Sequence, residues 1–328
     1  MLALVTAALL ALQEPFSALA ARKLDAADFI ACTQISLLAS IPLLLARPIA
    51  RRDFTRLLTD WGAWPKFAAL LAVGLCGLQL YDIGLSSAHP IITAAVLNLS
   101  PFWAAAVALV VSRKPLPGSA ALFFGCFGVA FIGAMAVAWS QIDVDAAKLA
   151  SDVLQSVLHS RWIYALPMPI FFALSGALVY IWFRDYDQSA AVGVNFLVSA
   201  LVLIPAALWR AKARAVMFAP ETAPAVVLLL IGTLASSAAG RIFYQEALSA
   251  TRNDNGFVTM FFLVIPALSA LISWPLSFWI SGVGFLPNVQ FFAGLALVTA
   301  PLLLFVLSFG DARARARIPR AVRPSNVA

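Results

Sequence analysis

Long apolar runs follow one another along almost the whole chain, and short polar segments separate them. Most of the runs reach the roughly 20 residues that an α-helix needs to cross the hydrocarbon core of a bilayer. The pattern predicts an all-α membrane protein with about ten spanning helices. We place them at about residues 2–20, 29–46, 67–86, 91–111, 118–139, 162–183, 190–209, 224–248, 257–280 and 288–309.

The amino-acid composition excludes an ordinary water-soluble domain. Of the 328 residues, 62% are hydrophobic and 11% are charged, and the mean hydropathy is +0.93. A soluble domain is about 45–50% apolar and about 25% charged. We expect the first run to be an uncleaved span, because no basic segment precedes Leu2 and because Glu14-Pro15 interrupts the run.

The distribution of Lys and Arg predicts the orientation, because short cytoplasmic loops carry an excess of these residues. With the N-terminus inside, fourteen basic residues fall on the inner side and seven on the outer side, while Arg241 lies within a span. The outer cluster at 210–214 runs against the rule. We predict a multi-pass protein of the cell inner membrane with both termini cytoplasmic. Its basic tail, 311–328, would lie near anionic lipid rather than bind nucleic acid.

The two halves of the chain resemble each other weakly. A shift of 163 residues aligns Pro42 with Pro205, Ser36 with Ser199, Gly77 with Gly240, Tyr81 with Tyr244, Leu85 with Leu248 and Ser86 with Ser249, and a two-residue insertion then aligns Pro101 with Pro266. Because each repeat has an odd number of spans, the second copy must enter the membrane from the opposite side. Inverted repeats of this kind are common in secondary transporters.

This organisation divides the chain into four parts. We predict a first five-helix repeat at 1–139, a polar connection at 140–161, a second five-helix repeat at 162–310 and the basic tail. In the connection, apolar residues recur at helical spacing and polar residues fall on the opposite face. The spacing predicts a short amphipathic helix on the membrane surface or an extension of the sixth span.

The chain resembles the drug/metabolite transporter superfamily, of the EamA type. The stretch 89–139 carries much of the resemblance, with a Pro midway along the fourth span and Gly125 and Gly133 in the fifth. Pro266 and Gly294 repeat the pattern in the second half. One feature departs from the family: the turn between spans four and five, residues 112–115, lacks the Glu that members often have there, so no role for that Glu is carried over.

The resemblance implies ten helices in an inverted repeat and a central cavity lined by spans 1, 3, 4, 6, 8 and 9. It also suggests the export of small metabolites. Its motifs are loose, and they do not name a substrate.

Ionisable side chains inside spans are costly and tend to face a cavity or a partner, so they are the first candidates for function. Glu14 lies well inside the first span, where it would couple proton movement, bind a substrate amine, or serve as a packing group bonded to a neighbour. Pro15 frees the backbone carbonyl of Ala11. Asp82, near the outer end of the third span, is a second candidate for proton coupling or a gate, although it would also suit the water interface.

Arg241 is the deeply placed base of the eighth span. Its guanidinium matches a carboxylate or phosphate bidentately, and Tyr244 and Gln245 share its helix face. The three residues would suit an anionic group of the substrate. A structural ion pair with Glu14 or Glu246, or snorkelling to the cytoplasmic edge, is the alternative.

The remaining candidates are uncharged. Gln79 shares a face of span three with Asp82, and Asn98 and Tyr180 lie on spans that the resemblance assigns to the cavity. Interhelical hydrogen bonds are the ordinary role of such groups. Pro101 and Pro266 break equivalent spans and would act as hinges or static kinks. The glycines at 74, 77, 125, 128 and 133 are expected to allow close helix packing.

Several function classes lack their sequence signals. The chain has no Gly-rich phosphate loop, no Gly-x-Ser-x-Gly nucleophile turn and no metal-ligand spacing around His89 or His159. We therefore predict a transporter, not an enzyme, that uses no metal or cofactor. Its partners would be a small polar substrate, amino-acid-like or anionic, and the lipid bilayer, and a homodimer is compatible with the pattern. An integral membrane enzyme and a non-transporting partner subunit stay open as alternatives.

Overall fold

The computed structural model describes most of the chain. It describes residues 1–87, 96–97, 99, 102–103, 106–107, 109–110, 119–140, 166–209, 219–243, 265–279 and 288–317. Within these ranges the regular secondary structure is helical and no strand occurs.

The described helices follow the predicted spans closely. They are α1 (Leu2–Lys23), α2 (Ala26–Leu44), α3 (Pro48–Thr59), α4 (Trp64–Ser87), α5 (Ala120–Ser140), α6 (Met168–Trp182), α7 (Gln188–Leu208), α8 (Ala223–Thr233), α9 (Ile265–Trp279) and α10 (Val289–Arg317). Every predicted span except 91–111 overlaps one of the nine helices other than α3. Only short pieces of 91–111 are described, and those at 96–97, 102–103, 106–107 and 109–110 are helical.

Six of the described helices are long and apolar enough to cross a membrane. They are α1, α2, α4, α5, α7 and α8, the last counted with its continuation to Phe243. Shorter apolar stretches lie in α6 and α10. The last helix continues to Arg317, so the first part of the predicted tail is helical. The predicted surface helix at 140–161 lies almost wholly outside the described residues.

Polar caps explain where several helices begin. The carboxylate of Asp25 accepts a hydrogen bond from the backbone N–H of Asp28, 2.9 Å away, at the start of α2. Asp187 caps α7 by accepting from the N–H groups of Ser189 and Ala190. Each cap satisfies backbone donors that the helix leaves unpaired at its N-terminus.

Helix α3 was not predicted from the sequence. The polar run that contains it was interpreted as a break between spans, yet Pro48 starts a regular helix. Ala50 and Leu57 are buried, while Arg51, Arg52 and Arg56 are exposed. The helix is amphipathic, and it buries its apolar face against α7.

Side-chain contacts join α3, and Asp60 directly after it, to the turn between α6 and α7. The carboxylate of Asp53 accepts a 2.8 Å hydrogen bond from the backbone N–H of Asp187. The hydroxyl of Tyr186 donates to Asp60 Oδ2 over 3.4 Å, and the Arg56 guanidinium lies 5.0 Å from the Tyr186 ring centroid. The predicted orientation puts both segments on the inner side, which agrees with this contact.

The long-range packing follows a regular scheme. Helix α5 packs against α10, α2 against α7, α1 against α8, and α4 against α6. Hydrophobic clusters fill these contacts, and the largest fully buried side chains include Phe67, Phe102 and Phe291. Each of these pairs joins one helix from 1–140 to one helix from 166–317.

The crossing of α5 and α10 is built on two glycines. A Cβ at Gly133 would lie 2.6 Å from the backbone nitrogen of Val298, and one at Gly294 would lie 2.7 Å from the backbone nitrogen of Val137. The contact is reciprocal, since Gly133 also meets Gly294. Of the other glycines singled out from the sequence, Gly77 meets Phe171 on α6, whereas Gly74, Gly125 and Gly128 have open space around them.

Candidate functional site

Glu14 is buried in the interior of the helix packing. Its side chain is 4% exposed, and its neighbour Pro15 is also buried. Pro15 has no N–H to donate to the carbonyl of Ala11. Helix α1 therefore brings a carboxyl group and a weakened segment of backbone into the same buried turn.

Tyr81 of α4 is the hydrogen-bond partner of Glu14. Its hydroxyl donates to Glu14 Oε2 over 3.4 Å, and its ring is 4% exposed. Gln13 and Ser17, on the same side of α1, also interact with this hydroxyl. Sequence reasoning used Tyr81 only to align the repeats and missed it as a site residue. Its alignment with the candidate Tyr244 was the available signal.

Asp82 and Gln79 lie three residues apart on α4 and differ in exposure. Asp82 is 8% exposed and Gln79 is exposed. Residues three apart on a helix differ by about 60° in direction, so at the edge of a packed face one is buried and the other is not. Asp82 stays a candidate inside the structure, whereas Gln79 points away from the packed interior.

Arg241 follows a π-helical segment, Leu234–Gly240, that continues α8. Segments of π-helix are rare in proteins, and those that occur often lie at functional sites. Ser236, Ala238 and Gly240 are buried in it, and the segment packs against α1 and α2. The side chain of Arg241 itself is exposed.

Several buried polar atoms have no hydrogen-bond partner. Those on helices that pack against α1 include four from Gln, Thr and Ser side chains: Gln34 Oε1 on α2, Thr233 Oγ1 on α8, and Ser269 Oγ and Ser273 Oγ on α9. Buried polar groups without partners are few in folded proteins, and a site for water or ligand is one reason for them. None of the four was predicted, because a lone Ser, Thr or Gln in an apolar run gives no signal by itself.

Other predicted site residues lie beyond what the structure describes. Asn98, Pro101, Tyr244 and Gln245 fall outside the described residues. Tyr180 and Pro266 lie in α6 and α9, but their side chains are not described. Among the described residues, no group of three His, Cys, Asp or Glu side chains could hold a metal ion.

Comparison with known proteins gives a fold and no activity. No family model matches the chain, and no curated protein matches it. A solved structure described as "Crystal structure of protein" is similar over 96% of this chain and 97% of its own, with a TM-score of 0.55 and 16% sequence identity. The similarity is one of fold.

Proposed function

We propose that the protein is a secondary transporter that moves a small polar metabolite across the inner membrane by alternating access. The observation that carries the proposal is the hydrogen bond between Tyr81 and Glu14, two polar groups buried together in helices of membrane-spanning length. A carboxyl group in such a place is costly and needs a functional or structural reason. Transport gives one, because a carrier must present polar groups to its cargo within the bilayer.

The helix pairing supports an inverted repeat of five and five. If α6 to α10 repeat the first five spans, α6 corresponds to α1 and α8 corresponds to α4. The contact of α1 with α8 then corresponds to the contact of α6 with α4, and both contacts are present. The pairs α2 with α7 and α5 with α10 map onto themselves, and both are also present. The reciprocal contact of Gly133 with Gly294 has the same symmetry.

The aligned glycines add a residue-level argument. Gly77 of α4 packs on Phe171 of α6, and its counterpart Gly240 packs on Leu10 of α1. The crossing of α4 with α6 and the crossing of the continued α8 with α1 correspond to each other when the two halves are exchanged. Two copies in opposite orientations would supply an inner and an outer gate from similar parts.

The residues of the proposed site would suit particular chemical groups on the cargo. Glu14 would bind a proton or a substrate amine, and Arg241 would bind a carboxylate or a similar anionic group. The unpaired polar atoms of α2, α8 and α9 would complete a polar path through the packing. An amino-acid-like or anionic metabolite fits this set, and export is the direction that the resemblance to the drug/metabolite transporters suggests.

Counterflow in liposomes tests the proposal. Purified protein would be reconstituted with unlabelled compound inside, and uptake of labelled compound would be followed for amino acids, other organic anions and amines. The expected result is saturable exchange of one class. Empty liposomes and liposomes with the Arg241→Ala variant are the controls. Absence of exchange of every class, from protein with an intact thermal transition, would favour a membrane enzyme or a partner subunit.

A further inference from the structure

Three acidic side chains meet where α1 ends and α2 begins. Asp25 lies between the two helices, Asp28 is in the first turn of α2, and Asp82 is near the end of α4. Asp25 binds the backbone N–H of Asp28 and repels the carboxylates of both Asp28 and Asp82 electrostatically. Asp25 therefore lies near each of the other two acids, on the predicted outer side.

Asp28 is the unusual member of the three. Its side chain is 0% exposed, and neither of its carboxylate oxygens has a hydrogen-bond partner. A buried carboxylate without a partner is strongly disfavoured, and such groups are stable when they are neutralised. The helix dipole at the start of α2 favours a negative charge by about 0.3–1 kcal/mol at an exposed site and by up to about 2 kcal/mol at a partly buried one. It does not offset burial without a partner.

Few of the described side chains around Asp28 are cationic, and the side chain of Arg22 and the basic cluster at 210–214 after α7 lie outside the described residues. Helix α2 packs against α1, α4, α7 and α8. Arg22 and Lys23 end α1, where Lys23 is exposed, and Glu221 precedes α8 and is exposed. The outer halves of α7 and α8 have no charged residue in their described parts. Among the described titratable groups, Asp25 and the Cys32 thiol interact electrostatically with Asp28.

We propose that Asp28 is a proton-binding site, loaded from the outer side through the exposed Asp25. A proton from water binds a carboxylate oxygen of Asp25 and then passes to an oxygen of Asp28, which becomes a neutral carboxyl group. A proton needs no space, which suits a side chain with no accessible surface. No described cluster of ligands would hold a metal ion instead.

The position of Asp82 links this site to the Glu14 pair. Asp82 follows Tyr81 directly on α4, and Tyr81 donates to Glu14. An acid near the predicted outer side therefore lies one residue along α4 from the Tyr81–Glu14 hydrogen bond. The inference rests on the proposed function in one respect: it gives the transporter its proton entry, separate from the place where the cargo binds.

Infrared spectroscopy of the purified protein tests the site without any transport assay. A protonated carboxyl group has a C=O stretching band that a carboxylate lacks. At neutral pH the Asp28→Asn variant is expected to lose one component of this band. The Asp185→Asn variant is the matched control, because Asp185 is an exposed acid beside Arg184, and it should leave the band unchanged. A band that is identical in wild type and Asp28→Asn would overturn the proposal.

Stability gives a second decisive result. An amide is close in size and charge to a protonated carboxyl group, so Asp28→Asn should keep the wild-type melting temperature. A variant that fails to fold would show that Asp28 is a charged structural group, and this would also overturn the proposal. If the infrared component disappears but no compound is ever exchanged, the proton site stands and the transporter proposal fails.

Discussion

The hydroxyl of Tyr81 donates a hydrogen bond to the carboxylate of Glu14 and so joins α4 to α1 across 67 residues of sequence. The 3.4 Å distance is at the long end for a hydrogen bond, so the bond can break at small cost. If the protein is the transporter that we propose, a bond of this kind would allow α1 and α4 to move apart during the transport cycle. Its contribution to stability should be modest, and its contribution to transport should be larger.

Replacing Tyr81 by Phe tests this distinction. The variant should lose about 0.5–1.5 kcal/mol of stability, the ordinary value for one hydrogen bond, and most of its transport activity. Tyr186→Phe is a matched control, because it removes a hydroxyl that donates to Asp60 over the same 3.4 Å, away from the site. Thermal unfolding and counterflow would be measured on both variants. Equal transport by the two would show that the Tyr81 hydroxyl has only a structural role.

The glycine crossing of α5 and α10 gives a prediction about folding. Gly133→Ala would place a methyl group 2.6 Å from a backbone nitrogen of α10, so the helices must move apart. We expect a loss of about 1–3 kcal/mol, the usual cost of overpacking. Gly128→Ala is the control on the same helix, where the methyl group meets nothing within 4 Å. Thermal unfolding in detergent would compare the two, and equal melting temperatures would contradict the described crossing.

The contact between α3 and the turn before α7 should contribute to stability through Asp53. Asp53→Ala leaves the N–H of Asp187 without its 2.8 Å acceptor, and we expect a loss of about 1–3 kcal/mol. Asp185→Ala removes only an exposed ion pair with Arg184, whose atoms are 3.8 Å apart. An ion pair of that kind contributes about 0–1 kcal/mol. Comparable melting temperatures for the two variants would mean that the hydrogen bond of Asp53 does not stabilise the packing of α3.

If Arg241 binds an anionic cargo, as proposed, two substitutions distinguish the contribution of its charge from that of its planar geometry. Arg241→Lys keeps the positive charge but loses the planar fork that binds an anion through two hydrogen bonds. We expect the KM for an anionic cargo to rise in Arg241→Lys and to rise further in Arg241→Ala. Arg184→Ala, at an exposed turn, should keep the wild-type KM. Initial rates against cargo concentration would decide, and a wild-type KM in Arg241→Ala would remove Arg241 from the site.

The sequence predicted the helices well because lipid imposes a simple rule on length and hydropathy. The rule does not apply to helix α3, because this helix is short and polar and its stability comes from packing one face on α7. Glu14 was proposed as a candidate because a lone acid in a long apolar run is conspicuous. Tyr81 and Asp28 were not proposed as site residues, because their importance depends on which helices meet at them.

Proton-driven uptake in wild type and in Glu14→Gln tests the central claim most directly. Liposomes with a pH gradient imposed across the membrane would be supplied with the cargo found by counterflow, and its accumulation would be followed over time. The wild type is expected to accumulate cargo above equilibrium, and Glu14→Gln, folded but unable to exchange a proton at this position, is expected only to equilibrate it. Accumulation by Glu14→Gln at the wild-type rate would contradict the role of Glu14 in coupling transport to protons.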